Sequence, residues 1–268
     1  MLSASLLTIA TAGYLASRSI PNTPAVDPGL RINWNAVKET WRIVGYARED
    51  RSVFLAVIGI SWFWFYGSVM TLQIPAYTLD ILNGNEEVTT ILLVAFAVGV
   101  GIGALLCERL SGHRIELGLV PLGALGLTIV AIDLYFAQTT KHPVVVTTLG
   151  ELLARPGSIR VLVDLALLGA FGGLYSVPLY AMIQERANRQ HLSRIIAANN
   201  IINSFFIVCA AGMALTLLNA GLTIPELFFA LACLNGIVAI TIFIGVPEFA
   251  HRFLRWIRGN AGNATGPD

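Results

Sequence analysis

The sequence predicts an all-α integral membrane protein of about seven transmembrane helices. Three observations carry this expectation. Of 268 residues, 56% are hydrophobic and 12% are charged, about half the charged share of a soluble domain. Seven apolar runs punctuate the chain, and none contains Lys or Arg. The basic residues between the runs fall overwhelmingly on alternate segments. A water-soluble helical bundle would need a polar stripe along each helix, and these runs show none.

The runs cover about 2–17, 53–76, 88–107, 117–137, 161–183, 196–218 and 226–246. Six approach or exceed the ~20 residues needed to cross the hydrocarbon core as a helix. The first is shorter. It lacks a basic stretch before its apolar residues, so it reads as a retained helix rather than a cleaved signal. It begins at Met1 as though something upstream were missing.

Lys and Arg gather in cytoplasmic loops. Segments 18–52, 108–116, 184–194 and the tail together hold 14 of the 17 bases. The remaining three, Lys141, Arg155 and Arg160, lie in loop 138–160. The expected orientation therefore places the N-terminus outside and the C-terminus in the cytoplasm. Net charge is +1 and points to no nucleic-acid partner.

Two segments outside the spans have a readable character. Pro21, Pro24, Pro28 and Gly29 mark a linker. After it, Trp34, Val37, Trp41 and Val44 recur at helical spacing, as in an amphipathic helix lying on the membrane surface or on the protein. The tail sets Phe253, Trp256 and Ile257 against Arg252 and Arg255, an interfacial anchor. Cys107, Cys209 and Cys233 fall in or at the edge of spans and suggest no disulfide framework.

Inside the spans, Gly99 and Gly103 form a G-x-x-x-G pair, and Gly169 and Gly173 form another. Such pairs let helix backbones approach closely. Pro178 interrupts the hydrogen-bond ladder of its helix. Polar residues in spans are costly and therefore informative. Asn199 and Asn203 share a helix face, with Asn200 beside them. Gln73 lies in the 53–76 run and Asn235 in the last one. Each suits either contact with a substrate head group or hydrogen bonding between helices, with the second favoured for Asn235. Asp133 and Asp164 flank the 138–160 loop, as coupling residues for protons or as solvated span-end acids.

Enzyme chemistry is not expected, and neither a metal nor a cofactor is implied. All four histidines lie in loops or the tail. No H-E-x-x-H, paired-cysteine metal spacing, G-x-S-x-G or P-loop occurs. The His-x4-Asp arrangement of glycerolipid acyltransferases is also missing. The fifth residue after each histidine is Gly118, Thr147, Ile196 or Trp256.

A family resemblance follows from particular segments. The loop from Ala104 through Glu108, Arg109 and Gly112 to Arg114 resembles the signature loop of major facilitator transporters, G-x-x-x-D-R-x-G-R-R. Here Ala104 replaces Gly, Glu108 replaces Asp, and one residue is added before Gly112. The stretches GISWFWFYGSV (59–69), LLGAFGGLYSVPLYAMIQ (167–184) and SRIIAANNIINSFF (193–206) resemble the lysophospholipid transporter branch of that superfamily. They look closest to the transporter part of fusions in which it precedes an acyltransferase and an acyl-carrier-protein synthetase. The tail VPEFAHRFLRWIRG (246–259) resembles the join to the acyltransferase.

The resemblance implies an order of parts. Residues 1–17 would correspond to part of helix six, 18–52 to the central cytoplasmic linker, 53–246 to helices seven to twelve, and 247–268 to a cytoplasmic interfacial tail. The N-terminal half would be absent, as in a truncated or split gene product or a chain that pairs with another. The implied function is flipping of lysophospholipids across a bacterial inner membrane. Gln73, Asn199, Asn200 and Asn203 would contact the head group, while Glu108, Arg109, Gly112 and Arg114 would gate. The Trp62–Tyr66 aromatic run suits either a path for the acyl chain or a packed or lipid-facing surface. The implied partners are the bilayer, the lysophospholipid and a complementary N-terminal half or an acyltransferase. The alternative is a non-transporting membrane anchor for a phospholipid acyltransferase.

Overall fold

The structure is a computed structural model and describes residues 2–21, 34–111, 116–137, 148–155, 157–245 and 252–254. Gly112 and Arg114 of the expected gating loop, most of the Pro-rich linker, and Trp256 and Ile257 of the tail lie outside the described residues. Within them the chain is helical: α1 (Leu2–Ser17), α2 (Ala36–Arg48), α3 (Arg51–Asp80), α4 (Glu86–Ser111), α5 (Leu119–Phe136), α6 (Leu149–Ala154), α7 (Ser158–Arg186), α8 (Leu192–Asn219) and α9 (Ile224–Gly245).

Six of these helices, α3, α4, α5, α7, α8 and α9, are long and apolar enough to cross a membrane. The sequence led to the expectation of about seven. The difference is α1, whose 16 residues rise only ~24 Å against a hydrocarbon core of about 30 Å. The chain up to Glu39 forms a compact unit separate from the rest. In that unit α1 is exposed along its length.

The second unit begins at Thr40. Its helices start and stop where local chemistry directs. Asp50 caps α3 by accepting from the N–H groups of Ser52 at 2.7 Å and Val53 at 3.2 Å. Asn85 does the same for α4, accepting from Val88 N–H at 3.1 Å. Before it, Asn83 takes a left-handed φ of 51°, a conformation that Asn tolerates better than most residues. At α9, Thr223 and Glu226 form a capping box, with the Glu226 carboxylate accepting from the Thr223 N–H at 2.7 Å. Thr148 and Glu151 mark α6 in the same pattern, with the Glu151 N–H donating to Thr148 Oγ1 at 3.2 Å.

The Asp50 cap gives a first expected result. The Ser52 hydroxyl bonded to the carboxylate holds its pKa below the ordinary 3.8. Backbone N–H groups and the nearby Arg186 add to this, against an opposing effect of burial. A depressed pKa in the folded state stabilises above the unfolded value and is lost as pH falls through the folded one. Asp50→Ala is expected to cost about 1 kcal/mol at neutral pH. Wild type and variant should converge as the carboxyl protonates in acid. Melting curves of the two proteins across pH check this, and a gap that persists in strong acid would exclude the cap as its cause.

The six long helices pack in a definite order. α8 lies on α3, α3 on α7, and α7 on α4, while α5 packs on α7 and α9 joins α5 to α3. Exchanging α3, α4 and α5 with α7, α8 and α9 maps these pairs onto one another. The first helix of each trio packs on the second and the third of the other. The core runs through the middle of this arrangement, around Ile60, Met70, Leu127, Leu168, Leu179 and Leu231. α4 and α8 stay the most exposed. Val94, Val98 and Ile102 point outward from α4, and Phe205, Val208 and Leu215 from α8, as expected where lipid is the solvent.

The glycine pairs set the closest approach. A Cβ added at Gly99 would meet the Ala166 carbonyl oxygen at 2.1 Å, and one at Gly103 the Ala170 oxygen at 2.0 Å. From the other side, a Cβ at Gly169 would meet the Phe96 oxygen at 2.1 Å. The two G-x-x-x-G motifs of α4 and α7 are therefore faces of one contact.

Side chains of α2 from Thr40 onward divide between bundle and surface. Ile43, Val44 and Ala47 pack into the core, whereas Trp41 is exposed. The inward face is set by Ile43, Val44 and Ala47, which lie within one turn of each other. At the tail, a Cβ at Gly118 would meet the Phe253 backbone at 2.9 Å, so residue 253 packs against the start of α5.

Candidate functional site

The polar residues of the spans sort into three groups. The first is structural. Asn235 on α9 accepts from Trp62 Nε1 at 2.8 Å and donates to the Ala124 carbonyl and Thr128 Oγ1, both at 2.9 Å. One buried carboxamide thus ties α3, α5 and α9. Within the aromatic run around it, Trp62, Phe65 and Tyr66 are buried. Trp62 stacks on Phe65 at 4.9 Å, and Tyr66 donates to the Leu127 carbonyl at 3.1 Å. Phe63 fits against Gly172. Trp64 is 42% exposed and donates to Tyr180 Oη at 2.9 Å.

The second group is the asparagine face of α8. Asn199 and Asn203 are both buried on the side that meets α3. Ser61 Oγ donates to Asn203 Oδ1 at 2.8 Å and lies equally close to the Val57 carbonyl. Asn199 Oδ1 is buried with no hydrogen-bond partner, an unusual state for a carboxamide oxygen. Asn200 faces outward, and its carbonyl accepts from Ser204 at 2.9 Å. Gln73 is half-buried on α3, twelve residues beyond Ser61 and hence ~18 Å along the helix axis. The structure thus brings Asn199 and Asn203 together, adds Ser61, turns Asn200 away and leaves Gln73 apart. Ser61 gave no signal in the sequence, because a serine bonding its own helix is ordinary in apolar surroundings.

The third group is charged and lies where α3 and α5 end and α7 begins. Arg160 on α7 forms a bidentate pair with Asp133 on α5. Its Nε donates to Asp133 Oδ2 at 2.9 Å and its Nη2 to Asp133 Oδ1. The two side chains are 46% and 45% exposed. Asp164, one turn after Arg160, is only 4% exposed, and its Oδ2 has no partner. The two acids are therefore unlike. Asp133 is solvated and paired, while Asp164 is enclosed.

At the opposite end, Glu108 and Arg109 project from the last turn of α4. With Ile102, Leu105 and Leu106 they line an open groove of about 480 Å³. A clamp not expected from the sequence also forms there. Tyr46 of α2 lies 4.3 Å from the His191 ring and accepts from Arg194 Nη1 at 2.7 Å. Asp50, Val53, Arg186 and Ile195 border a cavity of about 180 Å³ beside it. The interaction joins residues 148 apart in the chain, so no local pattern announces it.

Comparison with known proteins gives one distant likeness. No family model matches the chain, and no solved structure matches it. The lysophospholipid transporter LplT of Serratia proteamaculans (strain 568) is 27% identical over 202 residues, which is 71% of this chain and 44% of that protein. The chain therefore spans less than half the length of this curated relative, and it is an all-α integral membrane protein similar to part of a lysophospholipid transporter.

Proposed function

We propose that the chain is the C-terminal half of a major facilitator-type transporter that flips lysophospholipids across a bacterial inner membrane. The likeness to a lysophospholipid transporter over 71% of the chain carries the reading. The exchange of α3–α4–α5 with α7–α8–α9 supports the type, since paired three-helix repeats are the internal plan of a major facilitator half. The basic end is cytoplasmic on this reading, by the loop asymmetry in Lys and Arg. A complementary N-terminal half completes the path.

Asn199 and Asn203 are the head-group contacts in this reading. The unpartnered Asn199 Oδ1 accepts a hydrogen bond from the substrate, and Ser61 fixes the neighbouring Asn203. Glu108 and Arg109, with Gly112 and Arg114, latch the cytoplasmic helix ends. Asn200 and Gln73 contact the lipid away from this centre.

The test is flipping of a dithionite-quenchable lysophosphatidylethanolamine in proteoliposomes. The chain is reconstituted alone and together with the N-terminal helices of the Serratia transporter. Flipping above empty liposomes is expected with the complement present. Asn199→Ala with Asn203→Ala should slow it about tenfold, equivalent to roughly 1.4 kcal/mol. Background flipping in both preparations, from folded protein, would refute the proposal.

A further inference from the structure

We propose that the hydrogen-bonded pair Trp64–Tyr180 recognises the free glycerol hydroxyl of a lysophospholipid, with the Tyr180 O–H as the donor. The proposal rests on the transport reading and adds to it what tells a one-chain lipid from a two-chain one. The starting observation is a bond that leaves one proton over. Trp64 Nε1 donates to Tyr180 Oη at 2.9 Å, which satisfies the indole and uses the phenol as an acceptor. A phenol is also a donor, and the Tyr180 O–H meets no acceptor among the described residues. Trp64 is 42% exposed and Tyr180 is half-buried, so the pair lies at the surface of the bundle.

Depth makes the spare proton informative. Trp and Tyr concentrate at the membrane interfaces, yet Trp64 stands about midway along the 30 residues of α3. An O–H without an acceptor is costly against lipid tails. The rest of this face is also polar. Trp64, Ser68, Thr71 and Pro75 recur at helical spacing and none is buried, whereas Phe65, Tyr66, Val69, Met70 and Ile74 all are. Ser68 donates to the Phe65 carbonyl at 2.9 Å and Thr71 to the Gly67 carbonyl at 2.8 Å. Their protons are thus used, and their oxygens remain as acceptors. Gly67 between them has nothing within 4 Å of an added Cβ, which leaves room there. The outward face of α4, by contrast, carries Val94, Val98 and Ile102.

The donor set selects the occupant. No charged residue of α3 lies between Arg51 and Asp80, so this face lacks the basic group that phosphate recognition uses. One neutral donor, with neutral acceptors beginning a turn or ~6 Å further along α3, suits a group that both accepts and donates. A hydroxyl does both. A lysophospholipid carries one on its glycerol, and a diacyl phospholipid has that oxygen esterified. Trp64 also stands three residues, or ~4.5 Å, after Ser61, whose hydroxyl donates to Asn203. The glycerol contact therefore lies one turn from the head-group contact. A site built to bond a hydroxyl rejects the analogue that lacks it, because its own polar group is then left unpaired.

The test measures binding rather than flipping, with the full chain and the N-terminal helices of the Serratia transporter together in nanodiscs of diacyl phosphatidylcholine. The probes are 1-acyl lysophosphatidylethanolamine and its 2-deoxy analogue, in which hydrogen replaces the glycerol hydroxyl. Wild type should bind the lysolipid about tenfold more tightly than the analogue. Tyr180→Phe keeps the ring and should remove that difference by weakening the lysolipid alone. Trp64→Phe leaves the phenol unanchored and should narrow the difference; it also serves if Tyr180→Phe does not fold. Equal binding of the two lipids by wild type, or a difference that survives in both variants, overturns the proposal and leaves the transport reading in place. Folded protein that binds neither lipid also overturns it, and the flipping assay then shows whether the transport reading falls with it.

Discussion

Gly103→Leu is expected to separate α4 from α7 and to leave a protein that melts far below wild type. The reason is backbone geometry. A Cβ at position 103 would lie 2.0 Å from the Ala170 carbonyl oxygen, and one at position 99 would lie 2.1 Å from the Ala166 oxygen. Neither neighbour is a flexible side-chain end that turns aside. Accommodation requires the helices to move apart over the full length of their contact, which also displaces Gly169 and Gly173. Overpacking typically costs 1–3 kcal/mol. A clash with backbone belongs at or above the top of that range, about 3 kcal/mol for Ala and more for Leu. Gly101 supplies the control. It lies on the same helix and has nothing within 4 Å of its added Cβ, so Gly101→Ala should stay within about 0.5 kcal/mol of wild type. Melting of the detergent-purified variants decides the matter. Equal losses at 101 and 103 would show that the α4–α7 backbone contact does not set the effect, since Ala is the better helix former at either position.

Asn235→Leu has the second largest expected effect. It removes the acceptor of Trp62 Nε1 and the donor to Ala124 O and Thr128 Oγ1 in one substitution. Each interhelical bond in a membrane contributes about 0.6 kcal/mol on average. The larger cost is the stranded indole N–H, since Trp62 is only 8% exposed and an unsatisfied buried donor costs about 1–3 kcal/mol. The expected total is about 2–4 kcal/mol, with altered Trp fluorescence as the indole seeks a new partner. Asn199→Leu is the contrast. Its Oδ1 has no partner to strand, so its stability should change little. If Asn199→Leu destabilises as much as Asn235→Leu, the division between structural and available asparagines is wrong.

The membrane class, the helical content and the places of the six long helices were legible because they depend on local sums. Hydropathy over ~20 residues and the absence of Lys and Arg within a run need no knowledge of neighbours. The ends were less legible. α3 and α7 run beyond their apolar stretches to 30 and 29 residues, because caps and interfacial residues extend a helix past its hydrophobic part. The short helix α6 lies within the expected loop 138–160, although Thr148 and Glu151 carry the capping-box signature. The glycine motifs were legible as packing surfaces, yet only the fold shows that α4 and α7 are partners.

The candidate site was half legible. Composition picked out Asn199, Asn203, Asn235, Asp133 and Asp164 as costly in lipid, and that much follows from residue type. What each bonds to is set by atoms on distant helices. Trp62 and Asn235 are 173 residues apart, and Ser61 and Asn203 are 142 apart. Hydrogen bonds satisfied or left open across such separations leave no mark in a local window. The sequence by itself therefore determined what kind of solvent the chain lives in and which residues are expensive there. The tertiary structure alone decided which of those costs are met by a neighbour, as at Asn235, and which remain open, as at Asn199 and Asp164, because partnership in a bundle is a property of packed helices rather than of any one of them.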